Sequence, residues 1–539
     1  MANQLFYGDN LTVLRESIAD ASVDLIYLDP PFNSNATYNV LFRAPAGKQS
    51  EAQIEAFADT WHWGESAARA FDDVLRSTHT DAAALLAAMR RFLGESDMMA
   101  YLAMMAVRLV ELHRVLKPAG SLYLHCDPTA GHYLKLLMDA FFKPEYFINE
   151  IIWKRYGAHN DIGQGSRHYG RVHDTILFYS KSNDRLWNQM FIPLDSAYIT
   201  STYNKIDPES GRHFTTTPLT GPGGVEKGNP VFEWNGHPRA WRYAKVKMQE
   251  LHDAGRLYYS KTGYARQKFF LEESKGVPVQ SIWTDIPSLS GAHAERLGYP
   301  TQKPLALLER IINASSNEGS VVLDPFCGCG TAVHAAEKLK RSWIGIDITH
   351  LAVSLIERRL KDAFPDIRFE VLGTPKDLGG ARDLAARDKY QFQWWAVSLV
   401  DAVPQGGKKK GMDRGIDGIR WVRTGPKDND VEKVLVSVKG GETVGAAMVR
   451  DLKGTIEREN AAAGLFVTLA EPTREMRREA AASGLFETSF GRHPKIQILT
   501  IHELLAGMKP DLPALGRHEG FRRAARERGK GPEQTGLDV

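Results

Sequence analysis

The sequence predicts an α/β protein of more than one domain, and three observations predict it. A strand, glycine turn, helix and second strand follow one another over 321–347. Apolar strand-like runs alternate with helix-period segments over the first two-thirds of the chain. The length, 539 residues, exceeds one ordinary core and suggests about two to four units.

The first of these is the most informative. Val321, Val322 and Leu323 read as a short buried strand. Gly328 and Gly330 let the backbone turn tightly and approach a ligand with no Cβ in the way. From Thr331 the spacing is helical, with Val333, Ala336 and Leu339 on one side. A second apolar run, Trp343–Ile346, ends in Asp347. An acid about 20 residues past such a turn, at the end of the next strand, is where nucleotide-binding βαβ units grip a ribose hydroxyl. A turn that merely packs a helix on a sheet explains the glycines but leaves Asp347 without a role.

Composition limits the classes. Apolar residues make up 43% and charged residues 25%, as in soluble globular proteins. No apolar run approaches the roughly 20 residues of a membrane helix, and the N-terminus lacks a signal-peptide pattern. Cys126, Cys327 and Cys329 cannot form a structural zinc site at C-x-x-C spacing. Free thiols fit a cytoplasmic protein. The net charge of +3 says little about partners, because nucleic-acid binding needs a local basic face.

The elements before the turn follow in order. Gly8-Asp9-Asn10 reads as a turn and helix start, with Leu11, Leu14 and Ile18 at helical spacing. Val23–Leu28 reads as a strand that delivers Asp29 to the carboxyl end of the sheet, where open α/β sheets keep their sites. Asn33–Asn39 is polar and loop-like. Residues 80–116 are mostly helical, and Ser121–Cys126 is the next strand. His125 has two readings, a catalytic group or a satisfied core histidine. Thr175–Tyr179 is another strand. Over 181–298 aromatics such as Trp187, Trp234, Trp241 and Tyr264 recur among Arg and Lys. That mixture suits a nucleic-acid surface, and it equally suits an ordinary α+β insertion. Pro304 opens a helix through Ile311 and Ile312, 347–359 is a further helix, and Gly379-Gly380 lies in a polar linker.

The segment 324–331, Asp-Pro-Phe-Cys-Gly-Cys-Gly-Thr, resembles the S-adenosylmethionine-binding segment of amino-group DNA methyltransferases. Asp29, Pro30, Pro31 and Phe32 match that family's catalytic tetrad, and Thr301, Gln302, Lys303 and Pro304 match a third segment. The order, catalytic segment first and cofactor segment last, resembles the permuted β-group, which includes modification subunits of type III restriction systems. The resemblance implies a Rossmann-like methyltransferase sheet over 1–375, with a target-recognition region at 181–298 and Thr175–Tyr179 beside the target base. It implies a cofactor site at Asp324, Phe326, Gly328, Gly330, Thr331 and Asp347, with Thr301–Pro304, and S-adenosylmethionine as cofactor. No metal is implied for methyl transfer. The implied partner is double-stranded DNA, with a second copy and a restriction subunit left open, in an intracellular bacterial, archaeal or phage setting with no membrane. Asp in the tetrad resembles adenine-N6 enzymes; many cytosine-N4 enzymes carry Ser there.

After a linker at 376–388, residues 389–510 read as an α/β unit, followed by a charged tail at 511–539 expected to be frayed. Its Gly415-Ile416-Asp417 turn and Val434–Lys439 strand resemble the Mrr-like branch of restriction-endonuclease-like domains. Asp417 and Lys439 match the cutting site, whereas Ser437, Gln391 and Gln393 stand where acids are usual. Magnesium wants carboxylates, so Mg²⁺ enters only if this site is active, and the expectation is a DNA-binding remnant. Two rival functions stay open: a bifunctional restriction–modification enzyme and a catalytically silent nucleic-acid-binding protein.

Overall fold

This computed structural model describes residues 3–31, 62–157, 167, 169–221, 223–290, 293–299, 301–405, 415–426, 430–513 and 524–527, with 37–43 and 49–58 described by backbone alone. The chain divides into two compact units, 1–188 with 281–539, and 189–280.

The first unit is built on a nine-stranded sheet. Its order is Ile282–Trp283, Phe147–Lys154, His173–Ser180, Leu116–Cys126, Val23–Leu28, Val321–Asp324, Ser342–Asp347, Asn3–Tyr7 and Phe369–Leu372. His173–Ser180 runs antiparallel to both neighbours, and the other pairings are parallel. The central strands are buried along nearly their whole length. That is why they read as continuous apolar runs and not as alternations. Helices Thr80–Leu93, Asp97–Val115 and Gly131–Phe142 supply much of the core with Leu86, Leu109 and Leu137.

Several elements depart from the sequence reading. Gly379-Gly380 lies inside a helix, Leu378–Arg387, where a linker was expected. The Asp377 carboxylate accepts from Gly380 N at 2.8 Å, and Ala381 and Leu384 are buried. The cap and the apolar contacts offset the cost of two glycines in the first turn. Pro304 is the residue before its helix, Leu305–Ser315, not its first member. Thr37–Asn39 belongs to a hairpin, Thr37–Arg43 with Gln49–Ala58, while Asn33–Ala36 lies outside the described residues. The tail is not frayed at 524–527: Glu527 N donates to Ala363 O at 3.0 Å.

The second unit carries a four-stranded antiparallel sheet, Leu257–Tyr259, Ala265–Phe270, His213–Pro218 and Lys205–Ile206. Several aromatics that suggested stacking platforms are spent on its interior. Trp241 is fully buried and Trp234 nearly so, around Met248 and Leu257, while Phe214 and Phe270 are buried edge to face on each other. Arg212 and Arg256 pair with Glu272 and Glu273, so these cations are largely neutralised.

Residues 389–506 form a five-stranded sheet of Val403–Pro404, Gly418–Arg423, Val431–Lys439, Ala463–Thr468 and Ile496–Thr500. Helices Ala446–Arg458 and Arg474–Ala482 cover Leu435 and Phe466. Among the described residues no helix is long and apolar enough to cross a membrane.

Trp241 also donates its indole N–H to Phe232 O at 2.9 Å. Trp241→Ala should therefore destabilise the 189–280 unit by about 3–5 kcal/mol, read as an earlier transition in urea unfolding followed by tryptophan fluorescence.

Candidate functional site

The pairing of two parallel strands builds the site. Leu323 lies opposite Ile26 and Val322 opposite Leu25, so Asp29 and Asp324 leave the same edge of the sheet on neighbouring strands. Asp347 ends the next strand along, with Asp324 paired to Gly345. A cavity of about 370 Å³ opens there. Its walls include Asp29, Pro30, Pro31, Thr301, Lys303, Asp324, Phe326, Gly328, Thr331 and Asp347. Ten expected residues thus meet in one space. Phe32 lies outside the described residues.

Gln302, Pro304 and Gly330 do not line this cavity. Gln302 ties the preceding loop, accepting from Leu297 N and donating to Glu295 O, both at 2.8 Å. Gly330 works from behind. Its φ of +76° is left-handed, and a Cβ there would come within 2.8 Å of Ile356 Cγ1, so no other residue fits without strain. Gly328, at φ +52°, has Tyr299 3.4 Å from where a Cβ would stand.

Asp347 holds this turn. One carboxylate oxygen accepts from Gly328 N at 2.9 Å, the other from Thr349 N and Thr349 Oγ1, each at 2.9 Å. Burial pushes the Asp347 carboxyl up to about 6, against the lowering effect of those bonds. Asp324 is more deeply buried, at 3% exposure. Burial drives it to about 8, with the charges of Asp29 and Asp347 adding to the rise and the bond from Phe326 N opposing it. Three carboxylates therefore share one low-dielectric pocket. Lys303 answers them, with Nζ 2.5 Å from Asp29 Oδ2. Cys327 and Cys329 are raised by burial, which removes a thiolate nucleophile from the site.

Residues the sequence reading missed complete the wall. Arg108 is 5% exposed and pairs with Asp9 at 2.9 Å and with Asn10 at 2.6 Å. Asn10 in turn donates to Pro325 O at 2.8 Å, bracing the cofactor turn from the N-terminal helix. A lone arginine between Met105 and Leu109 of an apolar stripe was the available signal. Tyr299 had none, since its neighbours across the cavity are remote in sequence.

A second cavity of about 370 Å³ shares Tyr299, Thr301 and Lys303 with the first and is walled also by Trp153, Arg155, His173, Asp174 and Gln302. Beneath both runs a buried chain: Tyr27 Oη to His125 Nδ1 at 2.9 Å, His125 Nε2 to Asp174 at 2.9 Å, and Asp174 to Arg155 at 3.2 Å. Burial acts to raise Asp174, and the His125 bond with the Arg155 and Lys303 charges outweighs it, leaving the carboxyl lowered. His125 has both ring nitrogens engaged and no exposed surface; it is a satisfied core histidine.

With this geometry in hand, comparison with known proteins is decisive. Residues 23–358 match the DNA methylase family model of N6 and N4 methyltransferases. The chain belongs to that family. It is 29% identical over 364 residues to the type II methyltransferase M.EcaI of Enterobacter cloacae, covering 67% of this chain and 69% of that one. It is 29% identical over 355 residues to the Mod subunit of the type III enzyme StyLTI of Salmonella typhimurium, covering 62% and 50%. It is 26% identical over 360 residues to the DNA adenine methyltransferase YhdJ of Escherichia coli, covering 67% and 83%. Residues 406–506 match a second model, the NACHT-associated inactive restriction endonuclease 1 family.

In that C-terminal region Asp417 is spent on structure. Its Oδ1 accepts from Gln393 Nε2 at 3.0 Å and its Oδ2 from Val438 N at 2.7 Å. Ser437 is buried, and Gln391 accepts from His350 N at 3.1 Å in the methylase part. Among the described residues no group of three or more His, Cys, Asp or Glu side chains could hold a metal ion.

Asp324 sets a pH-dependent cost. Its folded value near 8 lies above the ordinary carboxylate value of 3.8, so its contribution to stability is full at low pH and falls as pH rises from about 4 to 8. Asp324→Asn keeps an acceptor for Phe326 N and removes that cost. The ligand-free variant should melt several degrees above the parent at pH 8 and level with it below pH 4, by calorimetry at both pH values.

Proposed function

We propose that this family member is a site-specific adenine-N6 methyltransferase of the permuted β-group, with Asp29 and Pro30 as the groups that receive the target amine. The observation that carries the reading is the meeting of Asp29 with the Asp324–Thr331 turn in one cavity. Asp at the head of the tetrad favours adenine over cytosine, and so does the name of the Escherichia coli relative.

The residues fit S-adenosylmethionine. The cavity size lies within the usual ligand range, Asp347 suits ribose hydroxyls, and the glycine turn admits backbone approach. We assign cofactor contact to Asp324, Phe326, Gly328, Thr331 and Asp347, with Thr301 and Lys303 on the facing wall. S-adenosylmethionine supplies a methyl group on a positively charged sulfur. Asp29 and Asp347 give that charge a negative surround, and a cation bound there favours the ionised form of Asp324 as well.

An exocyclic amine is a poor nucleophile because its lone pair is delocalised into the ring. The Asp29 carboxylate and Pro30 carbonyl accept hydrogen bonds from it and localise the lone pair, and such preorganised acceptors act most strongly where water is excluded. Successive prolines restrict φ and remove competing N–H donors. Lys303 engages one oxygen of Asp29 and so fixes the carboxylate for this task. Phe32 stacks on the flipped base. The second cavity, beside His173 and Asp174, receives the base, and the 181–298 region reads the target sequence.

The test is incubation of full-length protein with unmodified DNA and labelled S-adenosylmethionine, followed by nucleoside analysis. N6-methyladenine is the expected product, and label in N4-methylcytosine alone would move the assignment to the cytosine branch. Asp29→Ala should lower turnover by at least about a hundredfold while calorimetric cofactor affinity stays within a few-fold.

For the C-terminal part we infer a DNA-engaging or docking role without cutting, because both Asp417 oxygens are committed and its neighbours are uncharged. The Lys408–Lys410 run, whose charges suit phosphates, lies outside the described residues. Unmethylated plasmid should survive the protein with Mg²⁺ or Mn²⁺. Cleavage lost on Lys439→Ala would instead establish the bifunctional enzyme.

A further inference from the structure

Behind the cofactor turn lies a line of hydrogen bonds that the methyl-transfer reading does not use. It begins at Arg359, 3% exposed on helix His350–Ala363. Arg359 Nη1 donates to Cys329 O at 3.0 Å and to Thr331 Oγ1 at 3.1 Å. These atoms flank Gly330, the left-handed residue on which the turn pivots, and both Cys329 and Thr331 line the first cavity.

Arg359 Nε donates to His334 Nδ1 at 3.1 Å. A guanidinium has only donors, so Nδ1 must be the acceptor and the imidazole proton must sit on Nε2. Nε2 then donates to the Glu527 carboxylate at 3.1 Å. Glu527 also lies 3.3 Å from Lys338, and its backbone N–H donates to Ala363 O at 3.0 Å. Three residues earlier, Ala524 packs against the apolar cluster of Tyr299, Cys329, Leu351, Leu355 and Trp394. The end of the chain thus reaches the turn twice, once through apolar contact and once through directed bonds. Burial holds His334 near 4, so the tautomer that relays these bonds persists at neutral pH.

We propose that Arg359 and His334 are positioning residues for the S-adenosylmethionine turn, and that the C-terminal segment, through Glu527, sets their orientation and thereby the affinity for cofactor. The inference rests on the turn being the cofactor site. A buried arginine has five donors to satisfy, and without Glu527 the imidazole loses the partner that fixes its tautomer and ring orientation. Arg359 can then shift its bonds away from Cys329 and Thr331, and the turn samples conformations that do not accept ligand. Occupying the site requires return to one conformation, so apparent affinity falls with the fraction of competent turn.

The experiment uses the full chain with Glu527→Ala, Glu527→Gln and Arg359→Met, each checked for parental melting behaviour by calorimetry. Hydrogen exchange of the 326–333 backbone is measured without ligand, alongside calorimetric S-adenosylmethionine binding and steady-state kinetics. Glu527→Ala should speed exchange in that segment, raise Kd and KM for cofactor about five- to tenfold, and leave the DNA KM and saturated kcat within twofold. Glu527→Gln keeps an acceptor for His334 and should retain most of the affinity. Unchanged exchange and Kd in Glu527→Ala would overturn the proposal, as would a loss confined to melting temperature. Faster exchange in Glu527→Ala, with a parent protein that itself binds no S-adenosylmethionine, would uphold the mechanical coupling and sink the cofactor reading, so the two failures are separable. Arg359→Met, even if it unfolds, leaves the two Glu527 variants to decide.

Discussion

The functional geometry of this methyltransferase depends on one strand pairing. Val23–Leu28 and Val321–Asp324 lie nearly 300 positions apart in sequence and side by side in the sheet, with Leu323 opposite Ile26. Because side chains alternate along a strand, a slip of one residue would send each of them to the opposite face of the sheet. Asp24, inside the first strand, pins the pairing, since its Oδ2 accepts from Val321 N at 2.8 Å. Register therefore fixes where Asp29 and Asp324 emerge, and the chemistry follows from their proximity.

Once brought together, the acids create an electrostatic problem. Asp29, Asp324 and Asp347 sit in one mostly buried space, and two of them are pushed up to about 8 and about 6. The fold answers with Lys303 on Asp29, backbone N–H groups on Asp324 and Asp347, and Arg108 on the neighbouring Asp9. The remaining deficit suits a positively charged ligand. Carboxyls raised by burial at a cavity wall are the usual sign of groups held for function and not for packing.

The C-terminal region follows the opposite logic. The Asp417 carboxylate is taken up by bonds from Gln393 Nε2 and Val438 N. Gln391 binds the backbone of the methylase helix, and Trp394 packs with Leu351 and Leu355. The match of 406–506 to an inactive endonuclease family agrees with that use of side chains for contact.

What the sequence determined by itself is local. Apolar runs ending in Asp29, Asp324 and Asp347 announce strands and strand-end acids, because buried parallel strands need continuous apolar residues and their carboxyl ends are where sites collect. The glycines of the turn were legible for the same reason: a left-handed φ at Gly330 leaves little choice of residue. The aromatics of 181–298 could not be divided between core and surface from the sequence, because a ring in a core and a ring on a surface look alike in one dimension. Helix Leu378–Arg387 was hidden behind two glycines whose cost is offset by Asp377 and by burial. Only the tertiary structure decided the rest. It set Arg108 against Asp9, Tyr299 against Gly328, and Glu527 against His334. Each of these contacts joins residues far apart in sequence, and such pairings are fixed by the packing of whole elements and not by any pattern along the chain.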